Sequence, residues 1–242
     1  SGVIEKEVDT ISTRPFDPFY LSEEGKKIYL EEVKDYWKNK CVLDRWRLMA
    51  PKDMETLRTN GIIFIDRKAV RGYGETTVDW RRLLKVGIGG IKKEAEEALA
   101  KLDDAVPGDL EKSFFYRAEI MVADAVIHLA HRHAELAEQK AAECADPARK
   151  AELLKIAEVC RWVPEHPART FYEACQSILS YEYACYMEQN ASSYNLGRLD
   201  QYLYPYYKAD KAAGILTDDD AQELLDCLWI KVAEMSLFQD EV

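Results

Sequence analysis

Residues Glu188 to Tyr207 read EQNASSYNLGRLDQYLYPYY, and the rest of the chain is organised around this stretch. Its first half is small, polar and glycine-containing, whereas the preceding run from Phe171 to Met187 is apolar and aromatic. Polar groups that are buried between apolar segments need hydrogen-bonding partners. The stretch is therefore either a satisfied structural network, made of turns with capping Ser and Asn side chains, or the lining of a site.

The composition is that of a soluble globular protein with a substantial core. The chain has 242 residues, of which 48% are hydrophobic and 32% charged, and its formal net charge is -11. This acidic balance, without a cluster of Lys and Arg, argues against a nucleic-acid-binding surface. The apolar runs are too short to span a bilayer and no signal peptide is visible, so we expect a cytoplasmic protein that does not enter the membrane.

Neither the cysteines nor the histidines have the spacing of a metal site. The six cysteines form no CxxC pair and lie mostly in apolar, helix-like runs, which is typical of buried free thiols in a reducing compartment. His128, His131 and His133 fall on one predicted helix, but offsets of three and five residues do not place all three on one face. We therefore predict no bound metal.

Helical periodicity dominates the chain. Helices are predicted over residues 23–38, 43–49, 51–57, 79–102, 109–144, 148–160 and 168–187, and one more begins at Thr217. The best strand candidate is residues 61–66, which are short, β-branched and aromatic. Gly87, Gly89 and Gly90 lie inside a helical pattern, where they predict close approach of another backbone and not a nucleotide-binding loop.

Three segments resemble a known family. They are Arg169 to Gln176 (RTFYEACQ), Gly197 to Tyr207 (GRLDQYLYPYY) and Leu224 to Lys231 (LLDCLWIK). Together they resemble the N-terminal half of glycyl radical enzymes of the pyruvate formate-lyase family, in the branch of glycerol dehydratase and choline trimethylamine-lyase. The resemblance covers nearly the whole chain.

The resemblance implies a fold. This segment would be mainly α with few short strands and would form part of a ten-stranded α/β barrel whose strands are wrapped in helices. Residues 1–20 would form an arm, and residues 21–242 a helical layer with pocket-lining loops. The cysteine loop and the glycine motif of the family lie further along its chains and are absent here, so no residue of this segment is assigned a catalytic role.

The resemblance also implies a function for the full-length protein. A thiyl radical would abstract hydrogen from a small-molecule substrate and so drive cleavage of a C–C, C–O, C–N or C–S bond, in a lyase, dehydratase, decarboxylase or formate acetyltransferase reaction of anaerobic metabolism. The glycyl radical would be installed by a partner, an iron–sulfur activating enzyme that uses S-adenosylmethionine, and the protein would be a homodimer. A closed, dry barrel suits such chemistry because it excludes water. The segment alone would be inactive and would bind no cofactor.

Four substrate-binding residues follow from the resemblance: Arg67, Glu75, Ser192 and Ser193. Ser193 keeps the serine of a His-Ser pair that lines the pocket of glycerol dehydratase-like members, whereas Ser192 and Glu75 each stand where those members have histidine. Ser193 would hydrogen-bond a substrate hydroxyl or carboxylate, unless it only closes a turn. Glu75 would exchange a proton with the substrate and Arg67 would bind an anionic group, unless both serve in structural ion pairs.

Other readings of the same residues remain open. Arg198 and Asp200 are predicted to form a structural ion pair or helix caps, and the tyrosines from Tyr202 to Tyr207 to be core residues whose hydroxyls find partners. A helical scaffold or interaction protein derived from the same fold is the non-enzymatic alternative. A ferritin-like carboxylate bundle is not favoured, because the chain has no Glu-x-x-His motif.

Overall fold

The structure is a computed structural model that describes residues 7–16, 18–63, 76–103, 105–189 and 194–235. The described residues are mainly helical, as the sequence predicts. The elements are α1 (Glu23–Ile28), a π-helical segment (Tyr29–Val33), α2 (Lys34–Trp37), α3 (Val42–Met49), α4 (Lys52–Thr59), β1 (Thr76–Thr77), α5 (Trp80–Leu99), α6 (Asp109–Glu143), α7 (Pro147–Trp162), α8 (Phe171–Gln189), β2 (Tyr194–Asn195), α9 (Leu199–Ala213) and α10 (Asp218–Glu234). Among the described helices, none combines the length and the apolar composition that a membrane crossing requires.

The chain divides into two compact units. The first comprises residues 1–74, 189–192 and 236–242, and the second comprises residues 75–188 and 193–235. In the first unit the described helices are short. The sequence predicts the start of α1 correctly, because the Ser22 hydroxyl accepts a hydrogen bond from the Gly25 N–H at 3.0 Å and two glutamates follow in the first turn.

The core of the second unit is built around α8. Its buried face packs with α5, α9 and the start of α10 in one hydrophobic cluster that contains Trp80, Leu83, Leu84, Ile88, Phe171, Ala174, Cys175, Ile178, Tyr202, Leu203 and Ala221. The N-terminus of α8 is held by α9, where the Asp210 carboxylate accepts a hydrogen bond from the Phe171 N–H at 2.7 Å. A buried N–H therefore finds its acceptor on a neighbouring helix.

The long helix α6 packs along both α5 and α7. Its seam with α7 is lined by small side chains, Ala134 and Ala137 from α6 and Ala157 and Cys160 from α7. Small side chains at a helix contact reduce the distance between the two axes. These helices form an outer layer beside the α8 core.

Helix α5 is broken at Gly87, where φ is 69° and ψ is 167°. The segment between α7 and α8 fills the break: Ile88 N–H donates to Pro164 O at 2.8 Å, and Gly89 N–H donates to Glu165 O at 2.9 Å. A Cβ at Gly87 would lie 2.2 Å from Glu165 O. The close backbone approach predicted from the helical glycines is confirmed, and the break lets two backbones satisfy each other's polar groups.

The observed local structure differs from the sequence analysis in two places: a predicted strand is not formed in its described part, and one helix was not predicted. Residues 61–63 of the predicted strand form a turn and a bend, and the remainder of that strand lies outside the described residues. Helix α9 was not predicted, because Pro205 and a dense run of tyrosines obscure its helical period. Pro205 is tolerated at the seventh residue of α9, and burial of Tyr202 and Leu203 in the core offsets the lost hydrogen bond.

Candidate functional site

The candidate site lies where two distant parts of the chain meet. β1 and β2 pair in parallel, with Thr76 opposite Tyr194 and Thr77 opposite Asn195. Parallel strands run in the same direction, so the segments that follow them leave at the same edge. Tyr194 and Asn195, which belong to the polar stretch, are thereby joined to the segment that leads into α5.

Side chains from α5 and α9 fix the segment around β2. The Trp80 indole N–H donates to Asn195 O at 3.2 Å, and the Tyr202 hydroxyl donates to Leu196 O at 2.7 Å. The Asn195 side-chain oxygen accepts a hydrogen bond from the Gly197 N–H at 2.7 Å and closes a tight turn. Each of these three hydrogen bonds includes a main-chain atom of residues 195–197. The path of the backbone is therefore fixed by contacts within the protein.

A cavity of about 210 Å³ opens beside the two strands. Its lining comes from the residues that follow β1, including Val78 and Asp79, and from those that follow β2, including Leu196 and Gly197. Its charged groups already have partners. Arg81 donates to the Gln201 side-chain oxygen at 2.8 Å, and Asp79 caps α5 by accepting from the Arg82 N–H at 3.1 Å.

The ion pair predicted between Arg198 and Asp200 is confirmed, with Nη2 and Oδ2 2.9 Å apart. Both side chains are exposed. The hydrogen bond from Arg198, and to a lesser extent its charge, lowers the pKa of the Asp200 carboxyl. The pair lies at the start of α9, where Arg198 occupies the N-cap position. It has the structural role that the sequence analysis assigned to it.

The four predicted substrate-binding residues, Arg67, Glu75, Ser192 and Ser193, lie outside the described residues. Their roles stay predictions. The structure describes the next residue in the chain after two of them. Thr76 follows Glu75, Tyr194 follows Ser193, and Thr76 and Tyr194 lie opposite each other in the paired strands.

Sequence reasoning missed Glu182, a buried acidic residue of α8. It is 1% exposed, and its Oε2 atom has no hydrogen-bonding partner among the described residues. Burial raises the pKa of Glu182 to about 7, so near neutral pH the acid is protonated in a large fraction of molecules. Glu182 is one of two acidic residues, with Glu173, in the largely apolar run from Phe171 to Met187, and this position was the available signal.

The six cysteines are free, but the prediction that they are buried holds only for Cys160 and Cys175, and Cys227 is exposed. Burial raises the pKa of the Cys160 thiol to about 11 and that of Cys175 to about 12. Thiols of this kind are not nucleophilic at neutral pH. In the described part of the chain no group of His, Cys, Asp and Glu side chains has the arrangement of a metal site, and His131 instead lies 3.2 Å from the Glu165 carboxylate.

Comparison with known proteins gives a consistent result. Residues 1–242 match the family model described as pyruvate formate lyase-like. The chain is 40% identical over 236 residues to the isethionate sulfite-lyase of Bilophila wadsworthia, an alignment that covers 94% of this chain and 28% of that protein.

Solved structures agree with the sequence match. The glycerol-bound, B12-independent glycerol dehydratase of Clostridium butyricum is 34% identical with a TM-score of 0.84, and the match covers 100% of this chain and 30% of that one. A glycyl radical enzyme from Archaeoglobus fulgidus is 33% identical with a TM-score of 0.80 and coverages of 96% and 30%. The chain thus spans less than a third of the length of the proteins it matches.

Proposed function

The chain belongs to the pyruvate formate lyase-like family, and from that premise we propose that it is part of a glycyl radical enzyme. The whole protein would cleave a C–C, C–O, C–N or C–S bond of a small polar metabolite. Its relatives support this proposal, since one is named a sulfite-lyase and another a glycerol dehydratase. The ten-stranded barrel, the homodimer, the cytoplasmic location and the activating enzyme with its iron–sulfur cluster and S-adenosylmethionine belong to the same proposal.

We propose that the radical residues lie outside this chain, and the placement of its cysteines supports the proposal. Each of the six cysteines lies inside a helix or at a helix cap, and none stands at the tip of a loop where a thiyl radical could meet a substrate. The radical, when present, supplies the hydrogen abstraction. By itself this chain is expected to turn over no substrate.

The part assigned to this chain is to line one wall of the substrate pocket. The observation that carries this assignment is the parallel pairing of β1 with β2, because the paired residues Thr76 and Tyr194 each directly follow a predicted pocket residue. We propose that Glu75 exchanges a proton with the substrate and that Ser193 hydrogen-bonds it. Arg67 would bind an anionic group of the substrate bidentately.

The substrate is expected to differ from glycerol and propanediol. By the resemblance, Glu75 and Ser192 would stand where glycerol dehydratase-like members have histidine. A carboxyl group and a hydroxyl group differ from two imidazoles in charge and hydrogen-bonding capacity, which favours a different substrate.

The test uses the complete natural polypeptide after activation. Glu75→Ala and Ser193→Ala are expected to lower turnover by about 10² to 10⁴-fold for a lost proton-transfer group and less for a lost hydrogen bond. The yield of glycyl radical, measured by electron paramagnetic resonance, should not change. Glu223→Gln, an exposed substitution on α10, is the control. Unchanged turnover in both alanine variants would remove these residues from the pocket.

A non-catalytic scaffold derived from the same fold is the second candidate, because the chain spans less than a third of its relatives and its sequence shows neither the cysteine-loop motif nor the glycine motif of the family. The natural reading frame separates the two. A frame that continues past Val242 into a cysteine loop and a glycine motif rules out the scaffold, and a stop codon directly after Val242 rules out the enzyme.

A further inference from the structure

The exposed side of α6 carries a regular apolar stripe. We call it the outer stripe, and its members are Phe115, Ala118, Val122, Ala125 and Leu129. Phe115 is 65% exposed and Val122 45%, Ala118 and Ala125 are also exposed, and Leu129 is half-buried. The spacings alternate between three and four residues, as they do between the a and d positions of a coiled coil, which pack against a second helix.

The outer stripe is separate from the surface that α6 uses within the chain. Helix α6 packs on α5 and α7 through small buried residues that include Ala123, Ala130, Ala134 and Ala137. On a helix with 3.6 residues per turn, these positions lie roughly opposite the outer stripe. Since most of the stripe is exposed, no helix in the described part of the chain covers it. The stripe is therefore a second packing surface of the same helix.

The C-terminal half of this side of α6 contains a recess. It has a volume of about 310 Å³, and its lining residues all belong to α6: Leu129, Arg132, His133, Glu135, Leu136 and Gln139. Residues 129, 132, 133 and 136 have the i, i+3, i+4, i+7 spacing of the hole that receives one side chain of the facing helix in knobs-into-holes packing. A helix that presents a bulky apolar side chain at this level would fill the recess.

The other end of α6 carries a side chain that fits this recess. Phe115 is exposed and lies about 26 Å along the helix from the centre of the recess. If two copies of α6 pack antiparallel, Phe115 of each copy meets the recess of the other, and Val122 meets Ala125. A parallel pair would instead place Phe115 against Phe115 and one recess against the other. The positions of the knob and the hole therefore favour an antiparallel pair of identical helices.

The charged residues beside the outer stripe are complementary in the same register. Arg132 lines the recess, and Glu111 lies one helical turn before Phe115. Both are exposed, and neither forms an ion pair within the described part of the chain. In the antiparallel pair, Arg132 of one copy lies over Phe115 of the other and within reach of its Glu111, so that a cation–π contact and an ion pair can both form. A two-fold axis repeats these contacts at the other end of the interface.

We propose that the outer stripe of α6 docks on the outer stripe of a second copy of this chain, in an antiparallel pair whose two-fold axis crosses the helices between Ala123 and Asp124. The proposal rests on the proposed function in one respect, that the natural protein is a homodimer. To this it adds the surface, the direction of pairing and the register. The pairing itself requires no radical chemistry.

The experiment measures the dissociation constant of the dimer by sedimentation of the complete natural polypeptide across a concentration series, without activation. Val122→Asp places two like charges beside the two-fold axis and is expected to raise the dissociation constant by about a hundredfold or more. Ile230→Asp is the matched control, because it makes the same kind of change at an exposed apolar position of α10. It should leave the dissociation constant unchanged.

An exchange of charges tests the register. Arg132→Glu and Glu111→Arg should each raise the dissociation constant by about fivefold to tenfold, because like charges then face each other across the interface. The double variant restores opposite charges at both ends of the pair and should recover most of the natural affinity. A double variant that dissociates more readily than either single variant would overturn the proposal.

Two other results would also overturn the proposal: a natural protein that stays monomeric, and a dimer that Val122→Asp does not weaken. If Val122→Asp lowers the free energy of unfolding and leaves the dimer intact, the outer stripe is covered by another part of the same polypeptide. A protein that dimerises through α6 but forms no glycyl radical after activation would contradict the proposed function and leave the interface standing.

Discussion

The environment of Glu182 determines how stability depends on pH. The ordinary pKa of 4.5 applies to the unfolded chain, and burial raises the folded value to about 7. Between these values the folded chain holds a proton that the unfolded chain has lost. The contribution of Glu182 to the free energy of unfolding is therefore fully present below about pH 4.5. It is lost as the pH rises through about 7.

We predict that Glu182→Gln removes this loss of folding stability at higher pH, because glutamine has no proton to lose. The shift from 4.5 to about 7 corresponds to up to about 3 kcal/mol in the free energy of unfolding. The variant should match the natural chain near pH 5 and be the more stable of the two near pH 8. Urea denaturation followed by circular dichroism checks this, and a variant that is less stable at both pH values would contradict it.

Gly87 gives the second prediction at the scale of single residues. Its φ of 69° with ψ of 167° is a conformation that essentially only glycine adopts, and an added Cβ would lie 2.2 Å from Glu165 O. Gly87→Ala is expected to lower the free energy of unfolding by more than about 3 kcal/mol, because conformational strain and a backbone clash add together.

Gly214→Ala gives the cost of an ordinary left-handed position that has no clash. Gly214 also has a positive φ, 71°, but no atom lies within 4 Å of an added Cβ. This control should cost only about 1–2 kcal/mol. Equal losses in the two variants would show that the contact with Glu165 contributes nothing.

At the scale of elements, helix starts are well determined by sequence. Thr217 and three aspartates predict the start of α10, and the structure shows the full capping box: the Thr217 hydroxyl accepts from the Asp220 N–H at 3.1 Å, and the Asp220 carboxylate accepts from the Thr217 N–H at 2.9 Å. Local chemistry of this kind needs no long-range contact, so it can be recognised in one sequence.

We predict that Thr217→Ala lowers the free energy of unfolding by about 1 kcal/mol, because the N–H of Asp220 loses its acceptor. Thr217→Ser keeps the hydroxyl and should retain most of the stability. The measurement is thermal unfolding of the two variants beside the natural chain. A loss of the same size in Thr217→Ser would assign the effect to the methyl group instead of the cap.

Elements that depend on distant partners were predicted less well. Helix α9 carries Pro205 and owes its stability to burial of Tyr202 and Leu203 against other helices, which its own sequence does not reveal. β1 and β2 are two residues each, and 115 residues separate Trp80 from its partner Asn195. A strand of two residues is too short to show an alternation of apolar and polar residues. The pairing also joins residues that are far apart in the sequence, so neither strand could be predicted.

At the scale of the whole molecule, α6 has two apolar faces. One is buried against α5 and α7, and the other is exposed over about 40 Å of helix. The exposed face carries Leu110, Phe114, Phe115, Met121, Val122 and Leu136, with Met121 72% exposed. Five of these six residues lie between Leu110 and Val122, and monomeric proteins rarely leave a large apolar patch in water.

We predict that the isolated chain binds a hydrophobic dye such as anilinonaphthalene sulfonate and associates reversibly in sedimentation experiments. The triple variant Phe114→Ser, Phe115→Ser, Met121→Gln should lose most of both effects and keep the helical circular dichroism of the natural chain. Equal dye binding in the triple variant would place the responsible surface elsewhere.

The family could be recognised from this sequence, but the candidate site only in part. Contiguous segments such as Gly197 to Tyr207 carry the family pattern, so recognition needed no structure. The raised pKa of Glu182 could not be predicted from sequence, because it arises from burial among other helices. The predicted pocket residues Glu75 and Ser193 came from the resemblance, and their neighbours in the chain became linked only through β1 and β2.

The pairing of β1 with β2 has a consequence for how such enzymes diversify. It is made by main-chain atoms, and the Trp80 and Tyr202 side chains also bind carbonyl oxygens. The alignment of the two strands therefore does not depend on the side chains of the paired residues. If residues 75 and 192 bind substrate as proposed, substitutions at these positions change the side chains beside the strands while the main-chain pairing of β1 and β2 is kept.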